Sequence, residues 1–509
     1  MKRKFLGRAA TATLAGTLAA LAIGAGAASS TTPPPLVAAG TPPHVFGPKV
    51  AMQKHGGGPA AAPCPLDEGG GFFIACYGPR ELGQAYDFPR NLDGRGQTIV
   101  IVDAYGSPDI QQDLAYFDSV FNLPDPPSLT VINAHGTGAT GSGALSDWQS
   151  ETTLDVEYAH AMAPGANIVL AVAASDDDDD INAALAQVLP RYRGAIVSQS
   201  FGEDENTPGT EQSNLAEHLL YVGATAMGDT LLAGTGDLGA SDGDTPPVPV
   251  ASYPASDPLV LAVGGTEGYP YEQSVGGGTL IGGGLLDHHR YGAEQVWNET
   301  DCCDVPAATG GAPSGIFPRP PWQSGFTTNT GRITPDVSYN AAVLGGVVTV
   351  TSCYTPDVPD GCDPTDPFFS LIGGTSAGSP QWAAIIAIAN EARGMRGQRG
   401  LGLVAPALYE IAKDRRSYAQ DFHDITIGNN VLGSGNDPGA DPSQGFFAGP
   451  GFDDVTGLGT PDVGNLVPDL VRVRTFDNPG LPNPGPPRHR GYLDRWHQQH
   501  PHTAEPGGA

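Results

Sequence analysis

Residues 98–102 read Thr-Ile-Val-Ile-Val, five β-branched residues in a row with no polar alternation. A strand that is apolar on both sides must be covered on both faces, which is the condition of a buried parallel strand. Runs of similar length recur at 167–172, 195–200, 230–233, 259–263 and 347–350. Helical patterns lie at 80–86, 147–162, 180–189 and 211–223. Strands alternating with helices predict an α/β fold, a mostly parallel central sheet with helices on both faces. Sheets of this kind place their sites beyond the carboxyl ends of the strands. The 71 glycines and 48 prolines point to long loops around one large core and argue against a repeat or coiled-coil protein.

The chain opens with Lys2, Arg3, Lys4 and Arg8, followed by an uncharged Ala/Leu/Gly stretch with small residues at Ala25-Gly26-Ala27. Residues 1–28 therefore read as a secretory signal peptide, too weakly apolar for a membrane span. The expected protein is secreted, extracellular and monomeric, with no membrane partner. Six cysteines suit an oxidising compartment. Cys64 with Cys76, and Cys353 with Cys362, are near enough in sequence to pair within loops; Cys302 and Cys303 are adjacent, and the connectivity stays open. A net charge of −30 argues against nucleic acid or anionic membranes as partners and is compatible with an acidic medium, where surface carboxylates are protonated. Residues 29–76, rich in Pro, Gly and Ala, read as a linker or reduced pro-segment. Residues 475–509 read as a disordered Pro/His-rich tail, and 176–180 as a solvated acidic loop.

Chemistry concentrates in Gly373-Gly374-Thr375-Ser376-Ala377-Gly378-Ser379-Pro380, which follows an apolar strand-like run and precedes a helical one. A serine at that junction has its hydroxyl exposed beside backbone N–H groups and the positive end of a helix, as a nucleophile requires. The other reading is a Gly/Ser turn that caps the helix. Glu151 and Asp155 stand four apart on the helix marked by the capping box Ser146-x-x-Gln149 and the stop Ala163-Pro164-Gly165. They are either solvated carboxylates near a helix start, or a buried pair sharing a proton. In the second case Glu151 takes the serine proton in acid, where a histidine is already charged. Asp237 lies among glycines just after the strand at 230–233. It is either a turn residue or, kept protonated, a donor to a developing oxyanion.

Four separated pieces, in order, resemble the sedolisins, the serine-carboxyl peptidases built on the subtilisin fold. Glu151-Thr152-Thr153-Leu154-Asp155, then Ala163-Pro164-Gly165-Ala166, resembles their Glu-x-x-x-Asp helix. Ser198-Gln199-Ser200-Phe201-Gly202 is similar to their substrate-binding strand. Gly236-Asp237-Leu238-Gly239-Ala240 resembles the oxyanion aspartate segment, and Gly374-Thr375-Ser376 with Pro380 the nucleophile. The resemblance covers roughly residues 77–474. It implies Ser376 as nucleophile, Glu151 as base, Asp155 as its orienting partner, Asp237 at the oxyanion, and protein or peptide substrates. It also implies one structural Ca2+ held by Asp424, Asp453 and the carbonyls of Ile425, Gly449 and Gly451. Asp103 either extends the carboxylate network or caps the strand end. Two rivals remain: an Asp103/His135/Ser376 subtilisin triad, against which the glycines after His135 speak, and an inactive secreted binding protein on a peptidase fold.

Overall fold

The computed structural model describes residues 44–45, 49–51, 66–67, 73–74, 76–134, 144–243, 247–268, 273–275, 278–280, 294–300, 306–352 and 367–473. All of them fall within one compact unit, Ala39–Ala509. The apolar runs become strands β1 (Thr98–Ala104), β2 (Leu129–Asn133), β3 (Asn167–Ala173), β4 (Ile196–Gln199), β5 (Thr230–Gly234) and β6 (Val260–Glu267). Two short strands, β7 (Gln295–Val296) and β8 (Val337–Asn340), join β6. The sheet runs β2-β3-β1-β4-β5-β6, with every pair parallel except β6 with β7.

Five helices cover this sheet: α1 (Ile110–Phe121), α2 (Ala144–Met162), α3 (Asp178–Val188), α4 (Glu211–Met227) and α5 (Gly378–Gly394). The period-2 geometry of β1 divides its apolar residues between two layers. Ile99 and Ile101 pack with Leu114 of α1, Leu154 of α2 and Ile385 of α5. Val100 and Val102 pack with Leu185 of α3 and Ala224 of α4. Helix α5 is apolar almost all round and correspondingly buried. Its Glu391 is satisfied by the backbone N–H groups of Asp93, Gly94 and Arg95.

Several boundaries differ from the expectation. β1 extends through Ala104, so Asp103 lies inside the strand and does not cap its end. Helix α2 starts at Ala144, which puts Ser146 and Gln149 inside the helix, while its end at Met162 is where Ala163-Pro164-Gly165 predicts it. The acidic run is a loop only at Asp176 and Asp177: Asp178, Asp179 and Asp180 form the first turn of α3, where the helix dipole favours negative charge. Parts of the segment read as a linker are strands. Lys49–Ala51 pairs antiparallel with β10 (Phe368–Ile372), which also pairs with β9 (Gly346–Thr351). His44–Val45 pairs antiparallel with Phe201 and Gly202. Residues 1–28 and 475–509 lie outside the described residues, as do Cys64, Cys302, Cys303, Cys353 and Cys362.

From β1 the chain builds β2 and β3 on one side, then returns to build β4, β5 and β6 on the other. The carboxyl ends of β1 and β4 therefore flank the point where strand order reverses, the place such sheets use for a site.

Candidate active site

Ser376 lies in a 3-10 turn, Thr375–Ala377, between β10 and α5. Gly374 enters this turn at φ +114°, a conformation that disfavours any side chain. The turn is packed against α2, β5, β6 and β8. Ser376 is thereby buried, with 0% of its surface exposed, where the sequence pattern predicts an exposed hydroxyl.

Glu151 and Asp155 sit mid-helix on α2 and are buried, which rules out solvated carboxylates near a helix start. Asp103 of β1 is buried with them. Burial, followed by the neighbouring charges of Asp103 and Glu151, holds Asp155 well above the usual carboxylate range. Burial raises Asp103 to about 7, against a lowering contribution from the Thr152 hydroxyl. Three acid groups in one dry space cannot all ionise, so they retain protons among them. The Ser200 hydroxyl connects this cluster to the turn. It lies 2.9 Å from Asp155 Oδ1 and 3.4 Å from the Ser376 carbonyl oxygen.

Asp237 follows β5 and meets the same turn at Thr375. Its Oδ1 accepts from the Thr375 N–H at 2.8 Å and from the Thr375 hydroxyl at 2.9 Å. Its Oδ2 is buried with no hydrogen-bond partner, so a proton placed there is available to donate. Burial raises this carboxyl to about 7, with the two Thr375 hydrogen bonds acting to lower it. Thr375 also accepts from the Gly236 N–H at 3.1 Å. Reading by residue type passed over Thr375 and Thr152, although both sit inside the motifs; a hydroxyl beside a buried acid is the signal that would have found them.

The end of β4 and the residues that follow it, 198–201, have buried side chains. Ser198 Oγ lies 2.8 Å from Ser379 Oγ, and Gln199 Oε1 accepts from the Tyr221 hydroxyl at 2.7 Å. Phe201 is buried against Trp148, with ring centroids 6.4 Å apart. The main chain at Phe201 and Gly202 is paired antiparallel with His44–Val45. His135 lies outside the described residues.

The second candidate constellation is separate. The Gly451 N–H donates to both oxygens of Asp424 (3.0 and 2.9 Å), and the Gly449 N–H donates to Asp453 Oδ2 at 2.9 Å. Residues 449–451 thus bridge the two carboxylates, and Ile425 beside them is buried. Among the described residues neither acid is paired with a Lys or Arg. Two carboxylates with glycine-loop carbonyls are hard oxygen donors suited to calcium. No group of three His, Cys, Asp or Glu side chains able to hold a metal occurs among the described residues.

Comparison with known proteins bears on the family and the fold. The subtilase family model, peptidase S8, matches residues 81–399. Kumamolisin from Bacillus sp. (strain MN-32) is 33% identical over 396 residues, covering 76% of this chain and 62% of its own. Sedolisin from Pseudomonas sp. (strain 101) is 29% identical, covering 77% of this chain and 60% of its own. The chain thus spans less than two thirds of the length of these relatives. The solved structure of Pseudomonas sedolisin complexed with two molecules of pseudo-iodotyrostatin superposes with a TM-score of 0.62 at 25% identity, covering 78% of this chain and 98% of that one. The chain belongs to the subtilase family, in its sedolisin branch, and has the subtilisin-like fold.

Proposed function

We propose that the protein is a serine-carboxyl peptidase, secreted and acting on proteins or peptides in acid. In this reading Ser376 attacks the peptide carbonyl while Glu151 takes its proton. Asp155 orients Glu151, and Asp237, protonated on Oδ2, donates to the oxyanion. Glu151 then returns the proton to the leaving amine, and water hydrolyses the acyl-enzyme by the reverse sequence. A single observation carries the reading: Asp155, buried beside Asp103 and Glu151, is joined through the Ser200 hydroxyl to the turn that bears Ser376. The antiparallel pairing of His44–Val45 with Phe201 and Gly202 adds that this edge accepts an extended chain.

One Ca2+ held by Asp424, Asp453 and the carbonyls of Ile425, Gly449 and Gly451 belongs to the proposal as a structural ion. It would neutralise the two carboxylates and fix the 449–453 loop. The enzymatic reading is tested by hydrolysis of a denatured protein across about pH 2 to 8 with product mapping. Activity in acid, absent from Ser376→Ala and Glu151→Gln, is the expected result. An active Glu151→Gln together with an inactive His135→Ala would replace it with the Asp103/His135/Ser376 triad.

A further inference from the structure

Ser200 does something other than line a substrate strand. Side chains alternate along this segment: Gln199 points to Tyr221 of α4, while Ser198 and Ser200 point to the layer of α2 and α5. Ser198 is engaged by Ser379. Ser200 is buried, and its hydroxyl lies between the acid cluster and the nucleophile's main chain.

That hydroxyl has one proton and two neighbours able to accept it. When Asp155 is ionised, the proton goes to Asp155 Oδ1. When Asp155 carries a proton on Oδ1, Ser200 can accept there and turn its own hydrogen to the Ser376 carbonyl. We propose that Ser200 is a positioning residue that couples the protonation of the Glu151–Asp155 pair to the seat of the Ser376 turn. This rests on the serine-carboxyl reading and adds a residue to it. The titratable groups facing Asp155 are Asp103 from β1 and Glu151 from its own helix. Asp113 and Asp118 of α1 act instead on Glu157. Asp237 meets the turn through Thr375.

The direction of the effect follows from the hydrogen bond. A donated hydrogen bond stabilises ionised Asp155, so losing the hydroxyl makes the pair hold its proton to higher pH. The test is the pH profile of kcat/KM for Ser200→Ala and Ser200→Thr, with thermal melts to establish folding. The acid limb of Ser200→Ala should move up by about one pH unit, the scale of one hydrogen bond to a charged group. Ser200→Thr, which keeps a hydroxyl, should return it to the wild-type position. A folded Ser200→Ala with lowered rate and an unmoved acid limb overturns the coupling and leaves Ser200 a packing residue. Glu151→Gln separates the two levels. If it is inert while the limb stays put, the coupling alone fails; if it is active, the serine-carboxyl reading falls and takes the coupling with it.

Discussion

Asp237 has one oxygen committed to Thr375 and one with no partner, and that asymmetry decides what it can do. The free oxygen donates only while protonated. With the carboxyl raised to about 7 by burial, the donor is present in acid and is lost as pH rises through that value. An asparagine could keep its carbonyl on Thr375 and present an N–H at every pH. Asp237→Asn is therefore expected to shift the alkaline limb of kcat upward, whereas Asp237→Ala should lower kcat about 100-fold or more at all pH values. Steady-state pH profiles of the two variants check this. Sequence alone left Asp237 open between turn residue and donor, because only burial distinguishes them.

At the scale of elements, the site depends on close approach between β5 and the Thr375–Ala377 turn. A Cβ on Gly234 would stand 2.9 Å from Thr375 Oγ1 and 3.3 Å from the Thr375 carbonyl carbon. Gly234→Ala should push the turn off Asp237, lowering kcat about tenfold with a loss of about 1–3 kcal/mol in stability from overpacking. Kinetics and denaturant unfolding measure the two together. Stability of the 449–453 loop belongs at the same scale. Chelation of a calcium ion bound there should lower Tm while leaving turnover at low temperature nearly unchanged, and a Tm indifferent to chelator would remove the ion from the proposal. Strand and helix order was legible in the sequence because strongly apolar runs have few alternatives. Helix α2 was misplaced at its start, since Ser146 and Gln149 imitate a cap but lie inside the helix.

Across the whole molecule, burial raises carboxyls well beyond the catalytic cluster: Asp103, Asp113, Glu205 and Glu267 to about 7, Glu203 and Glu217 to about 8. In the unfolded chain the same groups titrate near 3.8 for Asp and 4.5 for Glu. Between about pH 4 and 8 the native state therefore binds more protons than the unfolded state, and stability falls as pH rises through that window. Thermal melts should give the highest Tm at the acidic end and a steady decline toward pH 8; a Tm rising from acid to neutral would contradict the burial of these acids in neutral form. By itself the sequence determined the α/β alternation, the parallel sheet and the spacing that puts Glu151 and Asp155 on one helical face, because periodicity and chain geometry are local properties. Tertiary structure alone decided which acids are dry, that Asp103 joins Glu151 and Asp155, and that Ser200 faces both Asp155 and the nucleophile's turn. Those facts depend on the reversal of strand order between β1 and β4, which brings together residues as far apart in sequence as 45 (Asp155 and Ser200) and 176 (Ser200 and Ser376), whose proximity no local pattern encodes.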